Sequence, residues 1–254
     1  MLTLYHWEPN ANSGKPMLAL LEKGVPFESR YLNMLAFEQH SSAYLAINPN
    51  GTLPAMVHEE LVLTESTAIM EYIDEVFPGP SLRPSAPLEL WRMRWWGRFL
   101  DQFVGPSVSM IGWSIFVGPA LRAHDPHELQ AAIERIPLKE RRIAWSKALY
   151  GTFSREELAE SRERIATGVR EVESALERRA WLAGATYSLA DIAGWNMLFG
   201  MPSMTPDLVN DTRTPHMMEW LRTLYERPAV RAMTAYGRTE IMKRLTHLER
   251  PARA

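Results

Sequence analysis

Ten consecutive residues, Pro78-Gly-Pro-Ser-Leu-Arg-Pro-Ser-Ala-Pro87, hold four prolines and fit neither a helix nor a strand. A 254-residue chain interrupted in this way cannot fold as one continuous layer. The charge balance changes at the same place. Residues 1–80 carry 3 Lys and Arg against 10 Asp and Glu, and residues 81–254 carry 25 against 20. The interruption and the charge split together predict a first domain over 1–79, a linker over 80–88 and a second domain over 89–254.

The first segment reads as α/β. Leu2 to Trp7 alternates as a short strand, Pro16 to Lys23 reads as a helix closed by Gly24, and Phe27 to Leu32 is a second strand. One or two helical turns follow between His40 and Ile47. Ala55–His58 and Leu61–Leu63 then flank Glu59-Glu60 as a hairpin before a helix near Ser66, giving the order βαβ-α-ββα. Beyond Leu88 the pattern is helical, including Leu90–Phe103 and Glu156–Arg178, so the second domain is expected to be all-α. Within it, a polar, proline-punctuated stretch at about 117–155 is longer than a simple bundle needs. Ser188-Leu-Ala-Asp191 has the form of a capping box and is read as a folding signal without chemistry. No internal repeat stands out, and the basic tail Lys243–Ala254 is expected to be mobile.

Composition excludes several chemistries. The absence of cysteine removes disulfides, thiolate metal sites and a thiol nucleophile of the protein's own, so any sulfur chemistry must come from a bound thiol. The seven His are scattered without metal-ligand spacing, and no metal is expected. The positively balanced half is too mixed in sign for a nucleic-acid surface. Apolar stretches are broken by charge or proline before the roughly 18 residues of a membrane span, and the chain enters a strand without a basic leader. No membrane partner and a cytoplasmic location are therefore expected.

Two neighbouring motifs point to a ligand. In Asn48-Pro-Asn-Gly-Thr-Leu-Pro-Ala55, the Leu53-Pro54 bond lies where a cis proline is tolerated, and such a bond would leave the backbone of Leu53 free to pair with an extended chain. In Thr64-Glu-Ser-Thr-Ala-Ile69, Ser66 reads as the N-cap of a helix whose stripe is Ala68, Ile69, Tyr72, Ile73 and Val76. A helix N-terminus exposes unpaired N–H groups and attracts a carboxylate. A pairing edge and an anion-binding helix end at this separation suit a small, extended, carboxylate-bearing peptide.

At these residues the chain resembles the glutathione S-transferase superfamily, over nearly its whole length. The resemblance implies a thioredoxin-like N-terminal domain, a C-terminal helical bundle and glutathione as co-substrate. It implies that Glu65 and Ser66 hold the γ-glutamyl end, that Thr52, Leu53 and Pro54 meet the cysteinyl backbone, and that Gln39 and His40 reach the glycine carboxylate. A thiol must be ionised to react, and the loop Asn10-Ala-Asn-Ser-Gly14 offers the Ser13 hydroxyl, the Asn12 amide and helix-end N–H groups to a thiolate. Ser13 leads as the catalytic residue and Asn12 is second, with simple capping by Ser13 as the alternative. Tyr5 and Tyr31 read as strand-buried, which argues against a tyrosine-type transferase.

Eight of nine Trp lie beyond residue 90. Trp7, Met110, Trp113, Phe116, Trp145, Tyr150 and Trp195 are the candidates for a flat, apolar substrate pocket, formed by the Met110–Phe116 helix and the 117–155 insertion. Ala11–Pro16, Phe37-Glu-Gln-His40, Ile47-Asn-Pro49, Thr64-Glu-Ser-Thr67, Ser81-Leu-Arg-Pro84 and Ile111-Gly-Trp113 are similar to the bacterial β-etherases, which split β-aryl ethers of lignin-derived aromatics. That resemblance implies a small aromatic ether as substrate and a homodimer, with a heterodimer of related chains as a further arrangement. The competing readings are a general detoxifying transferase, isomerase or peroxidase, and a weakly active partner subunit.

Overall fold

The computed structural model describes residues 2–239 together with Leu245, Leu248 and Glu249. The first unit contains β1 (Leu2–His6), α1 (Ala11–Lys23), β2 (Glu28–Tyr31), α2 (Ser42–Leu45), β3 (Ala55–His58), β4 (Leu61–Leu63) and α3 (Ser66–Val76). The sheet order is β2-β1-β3-β4, with β1 parallel to β2 and antiparallel to β3, and β3 antiparallel to β4. In register, Leu4 faces Met56 across the β1–β3 pair, and both are fully buried with Leu18, Leu20 and Ile73 from the covering helices. This is the thioredoxin-like arrangement.

The helix expected from Pro16 begins five residues earlier, at Ala11, and Pro16 lies inside it. Asn10 caps it in extended geometry, so Ser13 sits in the first turn rather than at the cap. The cap of α3 is also one residue earlier than expected. Glu65 is the capping residue, and Ser66 is already helical. The turns expected from His40 are split into a tight turn over Glu38–His40 and α2.

No helix or strand occurs between Val76 and Pro87, where α4 begins. α4 runs unbroken from Pro87 to Leu121. By length and composition it could cross a membrane, against the expectation that charge or proline breaks the apolar stretches before the length of a span. Met93, Trp96, Leu100 and Val104 are buried against the main core, as in the core helix of a bundle. Proline is accommodated because the ladder widens before it. A π turn over Leu100–Val104 precedes Gly105-Pro106, and a second over Trp113–Val117 precedes Gly118-Pro119. Pro lacks an N–H and its ring crowds the carbonyl four residues back, so an extra residue in the preceding turn removes both conflicts. The tetrapeptide Phe-Val-Gly-Pro occurs at both places, Phe103–Pro106 and Phe116–Pro119.

The remaining helices are α5 (Pro126–Glu134), α6 (Lys139–Tyr150), α7 (Arg155–Arg178), α8 (Leu189–Leu198), α9 (Met201–Met204), α10 (Pro215–Tyr225) and α11 (Pro228–Thr234). Every residue of α8 is buried, and the Ser188–Asp191 capping box starts it as expected. Asp191 does more than cap. One carboxylate oxygen accepts from Leu182 N and Trp220 Nε1 at 2.9 and 3.1 Å, the other from Ser188 N and Oγ at 3.0 and 3.2 Å.

Two features tie the helical part back to the first unit. Arg227 forms a bidentate ion pair with Glu22 of α1 at 2.6 and 2.8 Å. The fully buried Glu8 accepts from the backbone N–H groups of Arg238 and Thr239. Most of the C-terminal tail lies outside the described residues, but Leu245 and Leu248 within it are buried in the main core.

Candidate glutathione and substrate site

The turn at Asn48–Gly51 is fixed from beneath. The buried Asn48 donates through Nδ2 to the carbonyl and the hydroxyl of Thr52 at 2.9 and 3.1 Å, and the Tyr44 hydroxyl donates to the same carbonyl at 2.6 Å. Gly51 adopts φ +61° with the His40 ring against its Cα, where a Cβ would meet Cδ2 at 2.5 Å. The Leu53-Pro54 bond that follows is cis. Leu53 lies two residues before β3 begins at Ala55.

Glu65 holds φ +66°, a conformation uncommon for a residue with a Cβ and one found repeatedly at binding sites. Its side chain is exposed and makes no capping bond. Because Glu65 takes the cap position, the Ser66 hydroxyl is not consumed there, and no side chain caps the first-turn N–H groups of α3. Gln39 is 1% exposed, yet neither its Nε2 nor its Oε1 has a hydrogen-bond partner, and the buried Nδ1 of His40 also lacks one. Buried amides are nearly always paired, so these atoms fit a ligand with polar groups. Burial, with the Arg141 charge second, lowers the His40 pKa to about 4, so this ring is neutral near pH 7.

At the thiol loop, Ser13 is buried and its Oγ accepts from Trp7 N at 3.3 Å. With the acceptor role filled, the hydroxyl proton can be donated elsewhere. Asn12 is exposed, and its Oδ1 accepts from Lys15 Nζ at 3.2 Å. Tyr5 and Tyr31 are half-buried rather than buried, and the Tyr31 hydroxyl donates to Glu8 at 2.8 Å.

A network that sequence reasoning missed lies between the thiol loop and α3. Lys15, with no exposure at all, pairs with Asp101, whose other oxygen accepts from Thr67 Oγ1. Burial lowers the Lys15 pKa and Asp101 works against that shift. The lone charge Asp101 in an apolar stretch was the available signal. Among the described residues no cluster of metal-ligating side chains occurs.

A cavity of about 360 Å³ opens beside the thiol loop, lined by Trp7, Asn10 and Ala11, by Val108, Gly112, Trp113, Phe116 and Val117 of α4, and by Asn196, Phe199, Met201 and Met204. Of the candidates for a substrate pocket, Trp7, Trp113 and Phe116 are in this lining. Four others are not. Trp195 is wholly buried between Phe199 and Tyr225, and Met110 turns to Ser161, whose hydroxyl contacts its sulfur at 3.2 Å. Tyr150 is exposed and bonds Gln130. Trp145 is 2% exposed and packs behind Trp113, the two rings tilted with centroids 4.8 Å apart. The 117–155 insertion likewise contributes only Val117 to the lining. Its apolar residues, Leu129, Ile133, Ile136 and Leu149 with Trp145, bury one another in a second core. Aromatic spacing on a helix cannot distinguish a cavity wall from the packing behind it.

Comparison with known proteins follows this geometry. Residues 1–75 match the model of the glutathione S-transferase N-terminal domain, and residues 106–228 that of the C-terminal domain. Protein LigF of Sphingobium sp. (strain NBRC 103272 / SYK-6) is 36% identical over 250 residues, covering 96% of this chain and 97% of its own. The crystal structure of beta-etherase LigF superposes with a TM-score of 0.88, over 92% of this chain and 98% of that one. The glutathione S-transferase-like protein OpS6 of Beauveria bassiana (strain ARSEF 2860) is 27% identical, covering 92% of this chain and 94% of its own. The chain belongs to the glutathione S-transferase family, and glutathione is its co-substrate.

Proposed function

We propose that this glutathione S-transferase cleaves β-aryl ethers of lignin-derived aromatic ketones. The observation that carries the reading is the apolar cavity walled by Trp7, Trp113 and Phe116 directly beside Ser13, in a chain that resembles a beta-etherase across almost its full length. Glutathione lies with its γ-glutamyl carboxylate on the α3 N-terminus at Ser66, its ammonium near Glu65, its cysteinyl backbone along Thr52-Leu53-Pro54 and its glycine end toward Gln39 and His40. Ser13 donates to the sulfur and holds it as thiolate, with Asn12 at the rim.

The thiolate attacks the carbon that bears the aryloxy group, next to the ketone. A C–S bond forms as the C–O bond breaks, and the phenolate leaves and takes a proton from solvent. The ketone activates the carbon and the phenolate is a tolerable leaving group, so the protein contributes proximity and thiolate stabilisation. The test is phenol release from each enantiomer of a β-aryloxy ketone. Phenol and glutathione thioether should appear in equal amounts from at least one enantiomer. Truncating Trp113 or Phe116 to Ala should raise KM for the ether about tenfold, the scale of a lost aromatic wall, and leave glutathione affinity unchanged. Brisk conjugation of a chlorinated aromatic with no phenol from either enantiomer would establish the general-transferase reading instead.

The same reading includes a cytoplasmic homodimer. Exposed Leu61 and Val62 on β4 and exposed Leu88, Trp91 and Trp95 on α4 are apolar surface that a second copy would cover. The opposite charge balance of the two segments favours pairing the first of one chain with the second of the other. Light scattering at micromolar concentration should give twice the chain mass of 29.1 kDa, and a stable monomer would remove this arrangement.

A further inference from the structure

The 117–155 insertion packs behind the cavity walls Trp7 and Trp113 and also reaches the first unit. Its second core has Phe37 of the first unit among its members, and the Trp145 ring of α6 lies 4.8 Å from Phe37. Phe37 in turn lies 6.1 Å from the His40 ring. It holds φ +58° at the junction of two tight turns, so this contact sets the path of the segment that carries Gln39 and His40. These are the residues whose buried polar atoms have no partner.

One turn before Trp145, on the same side of α6, is Arg141. It is half-buried and, among the described residues, makes no hydrogen bond or ion pair. Besides its neighbour Glu140, the charge that acts on it is that of Glu65 at the start of α3. Burial lowers its pKa, opposed by Glu140 and then Glu65, and Arg141 itself contributes to the lowered pKa of His40. A half-buried guanidinium without a hydrogen-bonded partner, on the helix that packs through Trp145 and Phe37 against the segment carrying Gln39 and His40, has the form of an incomplete anion site.

We propose that Arg141, supplied by the helical insertion, pairs with the glycine carboxylate of glutathione and completes the subsite begun by Gln39 and His40. Of the two carboxylates in the tripeptide, the γ-glutamyl one has the α3 N-terminus and Ser66. The glycine one has no helix end, and the planar fork of an arginine matches a carboxylate in two parallel bonds. The inference rests on the proposed orientation of glutathione, and it makes the insertion a determinant of which thiol peptide is accepted.

Calorimetric titration of the full chain with glutathione and with γ-glutamylcysteine, which lacks the glycine, tests it. Arg141→Gln should weaken glutathione about 10–100-fold, the range of a lost charge-assisted hydrogen bond, and change γ-glutamylcysteine less than twofold. Arg141→Lys should recover part of the loss. Gln39→Ala serves as the control for the orientation, and circular dichroism shows that each variant is folded. If Gln39→Ala selectively weakens glutathione while Arg141→Gln leaves both peptides unchanged, the arginine assignment falls and the subsite stands. If both variants are silent, the orientation and the assignment fall together. Equal weakening of both peptides by Arg141→Gln also overturns the proposal, because the lost contact would then not be to the glycine.

Discussion

Replacing Asp191 with alanine is expected to cost the fold about 3–5 kcal/mol, enough to remove much of the margin of an ordinary domain. The substitution leaves the N–H groups of Leu182 and Ser188 and the Trp220 indole N–H without an acceptor in the interior. It also loosens the start of α8, every residue of which is buried. Denaturant midpoints of the two proteins measure the deficit. The deficit should depend on pH in a definite direction. Burial raises the Asp191 pKa to about 6 against an ordinary 3.8, the donors opposing, so its contribution is full below about 3.8 and declines as pH rises through about 6. The alanine variant lacks that slope, and the gap between the proteins should be wider at pH 4.5 than at pH 7.5. A gap that widens toward alkaline pH would show that the carboxylate is not held in this way.

Ser13→Ala is expected to lower turnover about 100-fold, the effect of losing one well-placed donor to a developing or resting anion, with a much smaller change in glutathione affinity. The Trp7 amide already occupies the acceptor side of this hydroxyl at 3.3 Å, so its proton is available to the sulfur. With that donor gone, the thiol pKa rises and the rate profile moves to higher pH, so part of the activity should return in alkaline buffer. Asn12→Ala should matter less, since its oxygen is engaged by Lys15 at 3.2 Å. A Ser13→Ala enzyme with full turnover between pH 6 and 8 would reduce Ser13 to a packing residue and leave the helix-end N–H groups as the thiolate's support.

What the sequence revealed and what it hid follow from how far apart the interacting residues are. The β3–β4 hairpin and the Ser188–Asp191 box are local patterns of a few residues, and both appear in the structure where they were read. The α3 cap was misplaced by one residue because a Ser normally outranks a Glu there, and only the positive φ of Glu65 overrides that preference. Pro16 was read as the start of a helix and the helix from Leu90 was ended at Phe103, because proline breaks an ideal ladder, yet Pro16 lies inside α1 and Pro106 and Pro119 follow ladders already widened. Lys15 and Asp101 were invisible as site residues because they pair with each other across separate elements. Asp101 is 86 residues from Lys15, and no local pattern announces such a pair. Trp145 and Trp195 were mistaken for walls because composition reports how many rings a chain has, not which side of a helix meets empty space.

The two π turns in α4 also bear on how such a pocket changes over time. Each contains one residue more than the α-helical path requires, and each residue in a helix accounts for about 100° of rotation. Losing one residue within Leu100–Val104 would let that turn close to an ordinary α turn, with Trp113 and Phe116 kept on their side of the cavity. The same loss in a regular stretch of the helix would rotate everything after it by about 100°. When such chains are aligned, a one-residue gap at either π turn marks a bulge gained or lost, and one elsewhere in this helix marks a rotated pocket lining.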